Sequence, residues 1–194
     1  MLIVETERLI LRDFEKSDIA KRIYWETVET EWQKWDAPWE HQSFTEEQKR
    51  AESASFITGL EAFAERIAAK SDADMRYSFQ IDLKETGEYI GWISCYCIDA
   101  EYNYTDGDGH YAFGIDIPGM AHRGKGYGKE AFAAAIQYLF SCGMTEVYTQ
   151  TWSGNKPMVA LAASIGFQEV MRKKDFRTVD NTKYDAITFV LRNE

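Results

Sequence analysis

The chain has 194 residues, of which 45% are hydrophobic and 28% charged, and its formal net charge is −10. These values predict a single globular domain over residues 1–194 and argue against a disordered chain. General nucleic-acid binding needs a basic face, which an acidic chain of this kind does not favour. The negative charge serves solubility, or it steers cationic ligands such as amines inward.

The sequence also bears on location and metal content. No run approaches the roughly 18 apolar residues of a membrane span, and charged Glu5 and Arg8 do not fit a signal peptide. Cys95, Cys97 and Cys142 suggest free thiols, since no second Cys or His pair follows at zinc spacing. We therefore expect a cytoplasmic protein, monomer or homodimer, that holds no metal and binds neither membrane nor nucleic acid.

Hydrophobic periodicity and turn residues predict the elements in chain order. They are a short strand at Leu9–Leu11, a helix beginning near Glu15, a long helix from an N-cap at Thr45 to about Lys70, strands near Tyr77–Ile81, Tyr89–Ile98 and His110–Ile117, a helix at Lys129–Cys142, a strand at Glu146–Trp152, a helix at Asn155–Ile165, and strands at Phe167–Met171 and Tyr184–Leu191. This order predicts an α/β fold whose mixed, mostly antiparallel sheet of about seven strands is flanked by about four helices.

A glycine-rich loop joins a predicted strand to a predicted helix. It reads Arg123-Gly124-Lys125-Gly126-Tyr127-Gly128-Lys129. Glycines let the backbone turn tightly and approach a ligand closely, and the first amides of a helix attract anions. The loop therefore predicts a phosphate cradle with added positive charge, and the alternative is a plain turn without a ligand.

Two familiar phosphate-binding patterns do not fit this loop. The dinucleotide pattern G-x-G-x-x-G breaks at Lys129, and the P-loop pattern breaks where Gly126 replaces Ser or Thr. An unrelated nucleotide-binding protein is therefore the weakest of the possible interpretations.

Nearly the whole chain resembles the GNAT superfamily of N-acetyltransferases, and within it the ribosomal-protein N-terminal acetyltransferases. Four stretches carry the resemblance in the family's order: Glu5 to Arg12 (opening strand), Arg123-x-x-Gly126-x-Gly128 (cofactor loop), Asn155 with Gly166-Phe167 (a helix and its end), and Lys183-Tyr184-Asp185 (closing strand). The resemblance implies a GNAT-like fold, with acetyl-CoA as co-substrate and a small-molecule amine or protein N-terminus as acceptor.

The resemblance also implies where the cofactor lies. Two parallel strands, around Phe113–Ile117 and Val147–Trp152, are expected to splay apart around the pantetheine arm. Residues Ile115 and Ile117 and the loop 123–129 are then cofactor-binding, and a backbone amide near Ile115 or Asp116 polarises the thioester carbonyl. Asn155 bonds near the pantetheine or orients the acceptor, and it also fits an N-cap.

Acetyl transfer requires an amine that has lost its proton. Family members often place a carboxylate base on the strand before the loop, where this chain has His110 and Asp116. Alternatively, His110 is a loop-edge residue that has no role, and Asp116 is a structural turn residue. The family's proton-donating tyrosine position holds Ala162 here, so no acid carries over, and Tyr127, Tyr184 and solvent remain as substitutes.

An aromatic and acidic segment falls where the family builds its acceptor wall. Trp32, Trp35 and Trp39, interspersed with acids that end at Glu40, suit a cationic amine through cation–π contacts, and Tyr104 suits the opposite wall. The alternative is aromatic packing of a loop onto the core. Because the family acid is missing, a module that binds acetyl-CoA without efficient catalysis is the second functional hypothesis.

Overall fold

A computed structural model describes residues 1–39 and 46–193. The α-helices are α1 (Ile19–Thr27), α2 (Glu46–Ala68), α3 (Tyr127–Ser141) and α4 (Lys156–Ile165). The strands are β1 (Leu2–Glu5), β2 (Leu9–Arg12), β3 (Phe79–Leu83), β4 (Tyr89–Ile98), β5 (Tyr104–Thr105), β6 (His110–Asp116), β7 (Glu146–Trp152), β8 (Gln168–Val179) and β9 (Thr182–Arg192). The predicted N-cap Thr45 and the predicted wall residue Glu40 lie outside the described residues.

The strands form one sheet in the order β1-β2-β3-β4-β6-β7-β9-β8, with β5 beside β4. Every pair is antiparallel except β6 with β7, which confirms the predicted mixed sheet and its α/β class. The described part has nine strands rather than about seven, because β1 and β5 are too short to show a period. Strand β8 also continues past the predicted end at Met171 to Val179.

The two faces of the sheet carry different helices. Phe113 of β6, Phe132 of α3 and Met158 of α4 share the main core on one face. On the other face, Trp25 of α1 packs on Trp92 of β4, with ring centroids 5.6 Å apart. Since alternate residues of a strand point to opposite faces, every side chain of β6 lies either with α3 and α4 or with α1. No helix in residues 1–39 and 46–193 is long and apolar enough to span a membrane.

The carboxyl half of β6 is held on both sides. Strands β6 and β7 pair at Ala112 and Tyr148, and beyond that pair the hydroxyl of Thr149 donates to the carbonyl of Phe113 at 2.8 Å. On the other side, a Cβ placed on Gly91 of β4 would lie 2.2 Å from the carbonyl oxygen of Asp116. Only glycine therefore allows β4 to approach the end of β6 this closely.

We expect Gly91→Ala to destabilise the protein by about 1–3 kcal/mol, because the new methyl group meets backbone atoms that must move. The matched control is Gly59→Ala in α2, where nothing lies within 4 Å of the new Cβ and the free energy of unfolding should rise by up to about 1 kcal/mol. Urea denaturation of both variants measures the difference. Equal stability of the two variants would contradict the close approach.

Candidate functional site

The glycine loop has the backbone conformation that its sequence predicts. Gly124 and Gly126 have φ of 72° and 84°, in the left-handed region that side chains disfavour. Gly126 is also the residue before the first turn of α3, and no side chain caps this helix end. The first amides of α3 have no acceptor within the helix, so they suit an anion such as phosphate.

Arg123 lies at the start of this loop, but its guanidinium is directed at protein groups. It donates to the carbonyls of Ile117 at 2.8 Å and Pro118 at 2.6 Å, and it forms an ion pair with Glu31. The side chain therefore fixes the turn that leaves β6. Lys125 and Lys129 of the loop are exposed cations.

A second set of contacts, to which the sequence analysis assigned no role, anchors the loop. The Arg8 guanidinium donates to Glu130 at 2.7 Å and to the carbonyl of Lys125 at 2.9 Å, and it lies 4.7 Å from the ring of Tyr127. The Thr6 hydroxyl also donates to Glu130 at 2.6 Å. Burial would raise the pKa of Glu130, but the hydrogen bonds from Thr6 and Arg8 outweigh it and lower that pKa. Because 122 positions separate Arg8 from Glu130, only the fold brings them together.

The backbone of β6 presents its polar groups to the two neighbouring strands in alternation. The Phe113 carbonyl faces β7, where Thr149 bonds it, and the Asp116 carbonyl faces Gly91 of β4. The amide and carbonyl of one strand residue point to the same side, and residues two apart share that side. Past the Ala112–Tyr148 pair, β6 and β7 have no continuous ladder, and we call the space between them the gap. The Ile115 amide therefore faces this gap, whereas the Asp116 amide faces β4. The side chain of Ile115 packs on the main core, on the face of the sheet that carries α3 and α4.

Asp116 is the titratable group at the open end of this gap. By alternation it lies on the α1 face. Removal from water, and after it the nearby charge of Asp36, together raise the pKa of Asp116 to about 8, against the opposing effects of Arg22 and Arg123. Arg22 itself lies 3.6 Å from the ring centroid of Trp92, the residue paired with Asp116 on β4. The site thus holds a carboxyl group that changes charge near neutral pH.

Asn155 joins the end of β7 to the aromatic segment. Its side chain accepts from the amide of Met158 at 3.1 Å, as an N-cap of α4, and donates to the carbonyl of Trp35 at 2.8 Å. The indole of Trp152 donates to the same carbonyl at 2.8 Å. Asn155 therefore caps α4 and also positions the Trp35 segment at the open end of the gap, which we call its mouth.

The predicted acceptor residues separate into three environments. Trp32 is buried against Trp92 and donates to the carbonyl of Trp25, so it belongs to the core, as the packing alternative predicted. Trp35 is exposed at the mouth, and Trp39 contacts the ring of Trp152 at 5.9 Å. Tyr104 is 67% exposed and lies at the other end of β4, beside Ile98.

His110 is not brought together with Asp116. It begins β6, where its Nδ1 lies 3.2 Å from Glu146 and its ring packs on Tyr148. Six residue-to-residue steps of extended strand separate it from Asp116, or roughly 20 Å at about 3.3 Å per step. The two share a face, as alternation predicted, but lie at opposite ends of it.

A tyrosine that the sequence analysis did not consider borders the gap. Tyr96 of β4 is directly opposite Ala112 and packs over it toward Tyr148. A hydrogen bond from the Gln150 amide favours its ionised form, but burial is the larger effect and raises the pKa of Tyr96. The small side chains on this face of β6, Ala112 and Gly114, leave room for the phenol. The family's tyrosine position, Ala162, is fully buried in the main core.

Comparisons with known proteins agree with this geometry. The family model of the acetyltransferase (GNAT) domain matches residues 8–168. A GNAT-family acetyltransferase from Bacillus anthracis has 21% identity and a TM-score of 0.66, over 99% of this chain and 98% of that chain. No curated protein sequence gave a significant match.

Two further solved structures are ribosomal-protein acetyltransferases. RimL, a ribosomal L7/L12 alpha-N-protein acetyltransferase in complex with coenzyme A, has 14% identity and a TM-score of 0.69, over 99% of this chain and 98% of that chain. The ribosomal-protein-S5-alanine acetyltransferase from Vibrio fischeri has 15% identity and a TM-score of 0.69, over 98% of this chain and 96% of that chain. These similarities show a shared fold.

We expect Gly126→Val to abolish acetyl-CoA binding, because a branched side chain there crowds Arg8, 3.3 Å from the new Cβ, and covers the first amides of α3. The matched control is Gly87→Val, at a turn with φ of 69° and nothing within 4 Å of the new Cβ. Both variants should lose about 1–2 kcal/mol of stability from backbone strain. Calorimetric titration with acetyl-CoA separates them, and equal affinity in both variants would remove the loop from the cofactor site.

Proposed function

Because this chain belongs to the GNAT acetyltransferase family, we propose that it transfers the acetyl group of acetyl-CoA directly to a primary amine. The acceptor is a protein N-terminus or a small-molecule amine. The observation that carries this proposal is the half-buried carboxyl group of Asp116, whose pKa is raised and which lies on the strand that leads into the glycine loop, on the face opposite α3. We also propose that the protein is cytoplasmic. The free thiols of Cys95, Cys97 and Cys142 fit that location.

The residues present fit acetyl-CoA. Left-handed Gly124 and Gly126 with the open amides of α3 suit the pyrophosphate, and the gap between β6 and β7 suits the pantetheine arm. Bound acetyl-CoA supplies the thioester that the amine attacks. In our proposal the Ile115 amide, which faces the gap, hydrogen-bonds the thioester oxygen as negative charge develops on it.

Asp116 is the proposed base. A protein α-amino group has a pKa of about 8, so a carboxylate with a pKa in the same range accepts its proton without a large free-energy cost. Asp36, beside Asp116, adds the negative charge that draws a cationic amine to the mouth of the gap.

We expect Asp116→Asn to lower kcat about 100-fold or more, as loss of a general base does. Since Asp116 must be ionised to act, wild-type kcat should rise with pH through the region near 8, and the variant should lose that step. A pH–rate profile of both proteins measures this. A profile in the variant that keeps the wild-type step would assign the ionisation to the amine alone.

The same substitution should stabilise the protein. Asp116 in the unfolded chain ionises near pH 4, but in the folded protein it keeps its proton until near pH 8, so wild-type stability falls as pH rises between these values. Asp116→Asn removes this fall and should raise the Tm at high pH. Thermal unfolding at several pH values measures it, and parallel curves for both proteins would contradict a buried Asp116.

Tyr96 is the proposed proton donor to the departing thiolate, because its phenol lies at the gap and stays protonated. We expect Tyr96→Phe to reduce kcat about 10- to 100-fold with little change in acetyl-CoA affinity. Tyr184, another tyrosine considered as a donor, packs its ring on Trp152 instead, so Tyr184→Phe should keep kcat. Equal kcat in both variants would leave protonation to solvent.

The first functional test is release of free coenzyme A from acetyl-CoA with a panel of polyamines, amino sugars, amino acids and short peptides. Release with one class supports acetyl transfer and names the acceptor. Acetyl-CoA binding without release across the panel, including peptides of varied N-termini, would favour the binding module instead.

A further inference from the structure

The outer half of the β8–β9 hairpin is basic on a chain of formal net charge −10. Segment 172–183 carries five cationic and two anionic side chains. Arg172 pairs with Glu169 and Asp185, which neutralises it. Lys173 and Lys174 are exposed, and so is Arg177.

A bulge directs part of this hairpin toward the proposed active site. The register shifts between Lys173 and Arg177, where four steps of β8 span two of β9. Within the bulge, Asp175 has φ of 53°, and its amide donates to Asp185 at 3.2 Å while its carboxylate accepts from Lys183 at 3.2 Å. Bulges re-aim side chains, and left-handed backbone at a residue other than glycine is costly, so these contacts hold an unusual conformation in place.

The side chain that the bulge presents is Phe176. Its ring lies between two cations, with Arg177 at 4.2 Å and Lys173 Nζ at 5.2 Å from the ring centroid. The same ring contacts Trp39 at 6.5 Å, and Trp39 in turn contacts Trp152 at 5.9 Å. An aromatic path therefore runs from the mouth of the β6–β7 gap to the hairpin cations.

The two ends of this path have opposite charge. Asp36 and, once it has ionised, Asp116 give the mouth negative charge, and Lys173, Lys174 and Arg177 lie at the hairpin. An acceptor that fits both ends has a cationic amine and, some way along the same molecule, negative charge. The ring contacts along the path correspond to roughly four or five residues of extended peptide at about 3.3 Å each.

We propose that the bulged hairpin is a specificity surface for a peptide acceptor whose free N-terminus is followed by acidic residues. This inference rests on the proposed function, since the peptide's α-amino group enters at Asp116. The hairpin cations select the acceptor by charge complementarity at the rim, and the aromatic path supports the peptide between the two ends. An acidic peptide meets both ends of the path, whereas the amino groups of RNA bases are uncharged near neutral pH, so an RNA strand has no cationic amine for the mouth.

The test uses peptides that share their N-terminal residues and continue with a run of Glu, Gln or Lys. Binding to the protein with coenzyme A is measured by fluorescence anisotropy, alongside kcat/KM for acetylation. The Glu peptide should bind about tenfold more tightly than the Gln peptide at low ionic strength. The advantage should shrink toward ~0.15 M salt, where the Debye length falls to about 8 Å.

The double variant Lys173→Glu/Lys174→Glu should lose or invert this preference while keeping acetyl-CoA affinity. The control is Lys84→Glu, an exposed charge reversal next to β3 on the other half of the sheet, which should keep it. Equal binding of the Glu and Gln peptides by the wild type would overturn the inference, and so would a preference that survives in the double variant. A single-stranded RNA that binds more tightly than the Glu peptide, and loses affinity in the double variant, would also overturn it.

The two proposals fail separately. A Glu preference in binding without acetylation of any amine would contradict the proposed function and leave the hairpin's role intact. Acetylation with equal kcat/KM for the Glu and Gln peptides would support the proposed function and contradict the role of the hairpin.

Discussion

The separation of β6 from β7 is the constraint on which the rest of the site depends. Residues at the end of β6 keep their place without a continuous ladder to β7, so other contacts must hold them. Gly91 permits β4 to lie against the Asp116 carbonyl, Thr149 bonds the Phe113 carbonyl, and Arg123 ties down the turn that follows. With the strand fixed in this way, the Ile115 amide is left facing the gap and the Asp116 side chain faces the acceptor side.

The same arrangement has an energetic cost that a purely structural strand end would not carry. A carboxyl group whose pKa is raised by burial and by a neighbouring carboxylate destabilises the folded state whenever it is ionised. Arg22 and Arg123 lie close enough to oppose this effect, and each is also held by other contacts: Arg22 over Trp92, and Arg123 by two carbonyls and Glu31. In the proposed function this group is the base, and a base that ionises near neutral pH gives the energetic cost a role.

Local features of the site could be predicted from the sequence, because glycine conformation and helix ends depend on neighbouring residues. Gly124 and Gly126 have the positive φ that their spacing suggested, and Asn155 caps the helix it precedes. Strands with a clear apolar period were also found, and β4 and β7 have their predicted bounds.

The features that could not be predicted from the sequence depend on how the fold places residues that are far apart in the chain. Alternation placed His110 and Asp116 on one face, but the position of the gap along β6 decides which of them lies at its mouth. Composition marked the tryptophans as one group, whereas packing buries Trp32 and leaves Trp35 at the mouth. The Arg8–Glu130 contact joins residues that no local pattern relates.

The part of β8 beyond Met171 shows why a strand of charged residues is hard to predict from sequence. Past Met171, six of its eight residues are exposed and four are cationic, so no apolar period marks them, and the strand exists through its pairing with β9. A strand of this kind contributes little burial, and a stability requirement alone gives no reason for its length. Its bulge nevertheless holds Phe176 against Trp39, with a left-handed Asp175 fixed by Asp185. This costly conformation on a solvent-exposed edge, joined by aromatic contacts to the mouth of the gap, is the feature from which we infer that the hairpin serves recognition.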